Sequence, residues 1–301
     1  MFELFKKVSK RVITEVVGRV SVPVAYAPGH FYSPVVHPAE ASAKHSTLWP
    51  CVPHAILGID FNDASHKQIL NSDFPTYIAD YDYPELEAAI TTKNGFYSGN
   101  TQFGWLDSRT LFVLLRKWRP KRVIEVGSGF SSLLMADVNR RFLDSTCEIT
   151  CIEPYPRAFL TEGVEGIHAL IQKPIQTIPL DFFSCLDKGD ILFIDSTHVA
   201  KTGSDVNYLF FEILPRLKRG VYVHIHDIFL PNEYPKGWVI TENRSWNEQY
   251  MLRALLMYST AFKVIFGSSY AFTMMPALVQ SALNHAGLQA YAGSSIWLER
   301  V

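Results

Sequence analysis

From residue 105 onward the apolar positions alternate between two spacings. LDSRTLFVLLRKW (106–118) repeats its large side chains at helical spacing, and Asp107 or Ser108 can cap its start. RVIEV (122–126) is a short apolar run bounded by a charged stretch and a glycine turn, the mark of a buried strand. The alternation continues with a helix over SSLLMADVNRRF (131–142), a strand over EITCIE (148–153), a weaker strand over IHALI (167–171) and a strand over DILFID (190–195). DVNYLFFEILPRL (205–217) then reads as a helix, VYVHIH (221–226) as a strand, and NEQYMLRALLMYST (247–260) as a helix with Asn247 as its cap. FKVIFG (262–267) and SSIWLER (294–300) close the series as strands around a helical PALVQSALNHA (276–286). Strands separated by helices imply a parallel sheet covered on both faces, and the last two strands permit an antiparallel edge. The pattern predicts an α/β, doubly wound, mostly parallel seven-stranded Rossmann-like sheet over residues 101–301.

The first hundred residues read differently. Phe2, Phe5, Val8, Val12, Ile13 and Val16 fit one side of an amphipathic helix, to cover the core, meet a second subunit or rest on a membrane surface. The Pro-, His- and aromatic-rich stretch from Ser21 to Pro53 resists regular structure, and HKQILNSDF (66–74) and PELEAAITT (84–92) are short helix candidates. Residues 1–100 are therefore expected to form an accessory cap.

Composition narrows the classes. A chain of 301 residues, 48% hydrophobic and 19% charged, can bury a full core. A net charge of −1 argues against nucleic acid as a partner. No segment is long and apolar enough to span a bilayer, and the basic residues among the first twenty exclude an export signal. Four cysteines with no CxxC pair fit a reducing cytoplasm, with Cys147 and Cys151 as buried thiols. A homo-oligomer is allowed.

Candidate chemistry gathers at strand ends. Gly127 and Gly129 lie between a strand and a helix, where a backbone without side chains can bend and approach a ligand. That suits either a dinucleotide or S-adenosylmethionine. The third glycine of a dinucleotide fingerprint would fall on Ser132, and Glu125 precedes the turn, where an acid opposes a pyrophosphate but can bond the ammonium of a methionine moiety. Glu153 ends the next strand, where a carboxylate can accept ribose hydroxyls of either cofactor. A second constellation, Asp195, His198, His224, His226 and Asp227, falls at the carboxyl ends of the next two strands, with His224 the deeper, core histidine. Either Asp195, His226 and Asp227 hold a divalent metal (Mg, Mn or Fe), or His198 or His226 acts as a general base with an aspartate fixing its tautomer.

These residues resemble the class I S-adenosylmethionine-dependent methyltransferases of bacteria, through IEVGSGFSS, CIEPYP, DILFIDSTHV and VHIHDIFLPNEYP, with GHFYSP (29–34) in the cap. More distantly the chain is similar to macrocin O-methyltransferase, cephalosporin hydroxylase and catechol O-methyltransferase. The resemblance implies donor binding by Glu125, Gly127, Ser128, Gly129, Ser131, Glu153 and Asp195, and places metal ligands on Asp195, His226 and Asp227, with a histidine where those relatives carry an acid. The resemblance does not imply a substrate; the strand-end positions of His198, His226 and Asp227 make them the catalytic candidates for methyl transfer to a small-molecule hydroxyl, and Tyr234 and Trp238, in the segment after the fifth strand, with His30 and Tyr32 in GHFYSP, are the expected substrate contacts. The rivals are a metal-dependent oxygenase on the same fold and a donor-binding protein without turnover.

Overall fold

The computed structural model describes residues 25–91, 94–283 and 293–301. The expected N-terminal amphipathic helix lies outside them. Seven strands form one sheet: β1 (Arg122–Val126), β2 (Glu148–Ile152), β3 (Ala169–Ile171), β4 (Ile191–Ile194), β5 (Tyr222–His226), β6 (Phe262–Gly267) and β7 (Ser295–Arg300). Their order is β3-β2-β1-β4-β5-β7-β6. All neighbours are parallel except β7, which runs antiparallel to both β5 and β6. The order reverses at β1 and β4, so the carboxyl ends of these two strands open a crevice where ligands settle.

The main helices are α1 (Pro38–Ala43), α2 (Asp63–Gln68), α3 (Trp105–Trp118), α4 (Phe130–Phe142), α5 (Asp205–Tyr208), α6 (Glu248–Leu256), α7 (Ser268–Met274) and α8 (Pro276–Leu283). Strand alternation divides the core in two. Val123, Ile191, Phe193, Phe266 and Trp297 face α3 and α4, while Ile124, Leu192, Val223, Ile225 and Leu298 face the layer of α5 and α6. Glu125, His224 and His226 share the first of these faces, which brings β5 histidines under α3.

Several expectations are corrected. Helix 205–217 is interrupted, α5 giving way to a π-turn over Leu209–Ile213 and a 3-10 turn over Leu214–Arg216. The same break follows α2, where a π-turn over Ile69–Asp73 leads into a helical turn over Phe74–Tyr77. Each wide turn precedes a proline, Pro215 or Pro75, which has no N–H for the carbonyl four residues back. PELEAAITT forms only a 3-10 turn over Glu87–Ala89. Ile69, Leu70 and Phe74 belong to the same core as α3, so the stretch that carries them packs into the main domain. Residues 36–49 do lie over the loop that follows β5: Val36 N donates to Ser245 Oγ at 3.1 Å, and the Trp49 indole donates to the Tyr234 carbonyl at 2.8 Å.

Candidate active site

The turn after β1 is fixed by one close approach. Gly127 has φ +80°, and a Cβ there would collide with the backbone carbonyl of Asp195 at the end of β4. Gly127 N also donates to the Ile152 carbonyl of β2 at 3.0 Å, so three strand ends meet at this residue. Gly129 is different: a Cβ would meet nothing within 4 Å, because it faces an open cleft. That cleft, about 220 Å³, is walled by Gly127, Ser128, Gly129 and Ser131 on one side and by Glu153, Tyr155 and Arg157 on the other, with Asp195 also lining it. Glu153 accepts from Ser128 N at 3.3 Å and Tyr155 N at 2.8 Å, and the Ser128 hydroxyl is buried with no partner. Gln102, Phe103 and Phe130 also line the cleft; Phe130 and Tyr155 fall inside IEVGSGFSS and CIEPYP without a role assigned to them, and Gln102, Phe103 and Arg157 fall in no motif.

Glu125 is not in the cleft. Its side chain is fully buried beneath the turn, where it accepts from Ser131 Oγ at 2.6 Å, from Ser132 Oγ and from the Cys151 thiol at 3.3 Å. Burial pushes its carboxyl up to about 7, against the opposing pull of those serine hydroxyls. The expectation that it meets a methionine ammonium is corrected: as an inward residue of β1 it ties the strand to the first turn of α4.

The second constellation does come together, with two additions. His198 and Asp227 both adopt left-handed backbone, φ +62° and +56°, in the turns after β4 and β5. Such strain is held only where surroundings over-determine it. His198 Nε2 lies 3.4 Å from Asp195 Oδ1 and 3.4 Å from Asp227 Oδ2, while its Nδ1 lies 2.8 Å from Glu248 Oε2. Glu248 reaches in from the start of α6, fully buried. His226 sits beside this group, its Nδ1 3.6 Å from Asp195 and 3.5 Å from Asp227, its Nε2 3.6 Å from Asp107. Asp107 does not cap α3 as expected. Gly104 holds the cap position, and the Asp107 carboxylate turns inward to accept from Ser294 N at 2.7 Å and Ser295 Oγ at 2.5 Å.

Four carboxylates thus enclose two imidazoles. Burial alone would lower His198, but Asp195 and Glu248 outweigh it and raise it to about 10. His226 is likewise held well above its ordinary value, burial being overcome by Asp227 and Asp195. Burial would raise Asp195, yet His226 and His198 keep it far below the usual carboxylate range. Asp227 goes the other way, burial pushing its carboxyl up despite the same histidines. His224 is a core residue stacked on Phe193 at 3.8 Å, with neither ring nitrogen bonded, and burial drives it down to about 3.

The metal set is also corrected. Among the described residues, the side chains that bring one ligand atom each to a common centre, all within 4.8 Å, are Asp195, His198 and Asp227. His226 stays beside the same two aspartates through Nδ1 and reaches Asp107 through Nε2. Two carboxylates and an imidazole whose other nitrogen is held by Glu248 are donors that fit a divalent cation. Of the expected substrate contacts, Tyr234 is buried at 3% exposure with its hydroxyl accepting from Gln249 N, so it is packing rather than pocket wall. Trp238 packs on Phe229 and Trp246 beneath Arg244. His30 stacks between Tyr26 and Phe31, and Tyr32 is 66% exposed. None of these four lines the cleft.

Residues 124–228 match a family model described as a methyltransferase domain. An uncharacterized protein of Archaeoglobus fulgidus is 36% identical over 172 residues, 55% of this chain and 76% of that protein. Among solved structures, a putative methyltransferase from Thermobifida fusca aligns with a TM-score of 0.41 and 12% identity, over 64% of this chain and 77% of the other. The O-methyltransferase TomG from Streptomyces achromogenes, solved with SAM, aligns at 0.40 and 15% identity, over 87% and 96%. Residues 124–228 thus carry a methyltransferase domain, built on the sheet order described above, and the Archaeoglobus fulgidus protein is a relative of the chain.

Proposed function

We propose that the enzyme transfers a methyl group from S-adenosylmethionine to a hydroxyl of a small molecule, and that the acceptor oxygen is received between Asp195, His198 and Asp227. The observation that carries this reading is that Asp195 belongs to both halves, lining the donor cleft and pairing with His198. The cleft fits the donor: the open face of Gly129 leaves room, and Glu153 offers a carboxylate to ribose hydroxyls. The sulfonium supplies an activated methyl and leaves as a neutral thioether.

His198 is charged at neutral pH, so it does not serve as the base that its type suggests. It places a positive charge beside the acceptor oxygen, where negative charge develops as the proton departs. Asp227, the carboxyl raised by burial, takes that proton, and His226, itself charged, steadies both aspartates. A second reading is favoured by the convergence of ligand atoms: Asp195, His198 and Asp227 would hold a divalent cation that lowers the acceptor hydroxyl's pKa.

The test is methyl transfer from labelled donor to a panel of phenols, catechols and sugars, with and without chelator. Turnover that survives chelation and falls at least about a hundred-fold in Asp227→Asn, while S-adenosylhomocysteine still binds, supports the first reading. Turnover lost on chelation and restored by Mg²⁺ or Mn²⁺ supports the second. A wild-type protein that binds S-adenosylhomocysteine but methylates nothing in the panel would count against both.

A further inference from the structure

We propose that a second cavity, separate from the donor cleft, binds an organic anion with a flat apolar body, its carboxylate paired with Arg253. The cavity, about 380 Å³, shares no residue with the cleft. It is closed on one side by the segment around Trp49, Pro53 and Ile56 and on the other by the loop that starts at Phe229. Trp49, Pro53, Ile56 and Phe229 give it an apolar surface that suits a flat ring, and Thr47, Asn232, Gln249 and Ser269 line it with polar groups. The volume is in the range of small-molecule sites.

The charge on its rim is not used by the protein. Arg253 and His54 both line the cavity, and neither side chain has a hydrogen bond or ion pair among the described residues. Glu233 also lines the cavity, its Oε1 accepting from the Tyr250 hydroxyl at 2.5 Å and from Tyr234 N at 2.9 Å. Arg253 lies in the last turn of α6, where a cation also complements the helix's carbonyl end. Arg253 is exposed at the cavity's rim, where a ligand's anion can reach it from solvent. A guanidinium beside an apolar wall binds a carboxylate in two parallel bonds while the ligand's body is taken out of water.

Calorimetric titration of the full-length protein with 1-naphthoate and with the uncharged 1-naphthamide reads the site directly. We expect the acid to bind about ten-fold or more tighter than the amide. Saturating S-adenosylhomocysteine should leave that affinity unchanged. Arg253→Ala should erase the difference, Arg253→Lys should restore part of it, and Ala55→Trp, at an exposed position on the cavity wall, should block both ligands. The proposal is overturned if 1-naphthoate fails to bind, if Arg253→Ala leaves its advantage intact, or if S-adenosylhomocysteine displaces it.

Discussion

Glu125 shows how much a single buried carboxyl can set the pH response of this protein. Its ordinary value is 4.5 and burial lifts it to about 7. A carboxyl raised on folding contributes stability that is fully present below its unfolded value and is lost as pH rises through the folded one. A rise of this size corresponds to about 3 kcal/mol lost between pH 4.5 and pH 8. Glu125→Gln keeps the shape and removes the ionisation, so its urea-unfolding stability should be flatter over that window than the wild type's. Equal slopes in the two proteins would show that Glu125 titrates as an ordinary carboxyl. The same residue illustrates where sequence reading stops. An acid before a glycine turn is visible in RVIEVGSG, but whether it faces ligand or core depends on the strand's phase relative to α4, and the phase is settled only by packing.

At the scale of the element, the turn between β1 and α4 contains two glycines that exist for opposite reasons. Gly127 is required by the protein, because a side chain would strike the Asp195 carbonyl at a positive φ. Gly129 is required by nothing in the described protein and is left open toward the cleft. Gly127→Ala should therefore lower stability by about 2 kcal/mol or more. Gly129→Val should leave stability within about 1 kcal/mol of wild type while donor affinity falls about ten-fold or more. Thermal unfolding and calorimetry with S-adenosylhomocysteine separate the two outcomes, and a stable Gly127→Ala protein would contradict the account. Elements of this kind were legible because strands buried on both faces are short runs dominated by β-branched residues, as RVIEV and VYVHIH are. Asp107 and Glu248 were not. Each sits in the first turn of a helix, where an acid is ordinary, and its role comes from a histidine more than a hundred or about fifty residues away.

For the molecule as a whole, the N-terminal segment acts as a strap over the loop after β5, through α1 against residues 237–241, Val36 on Ser245 and Trp49 on Tyr234. Trp49→Phe deletes one of these bonds and should cost about 1 kcal/mol locally. Amide hydrogen exchange should then quicken in residues 229–241 and stay unchanged in β1 and β4. Uniform acceleration would mean that strap and sheet open as one unit. The deeper constraint lies at Asp195. Its backbone carbonyl is lodged against Gly127 and its carboxylate against His198, so one residue joins the glycine turn to the histidine cluster. A single residue inserted between β4 and His198 would disable both halves at once.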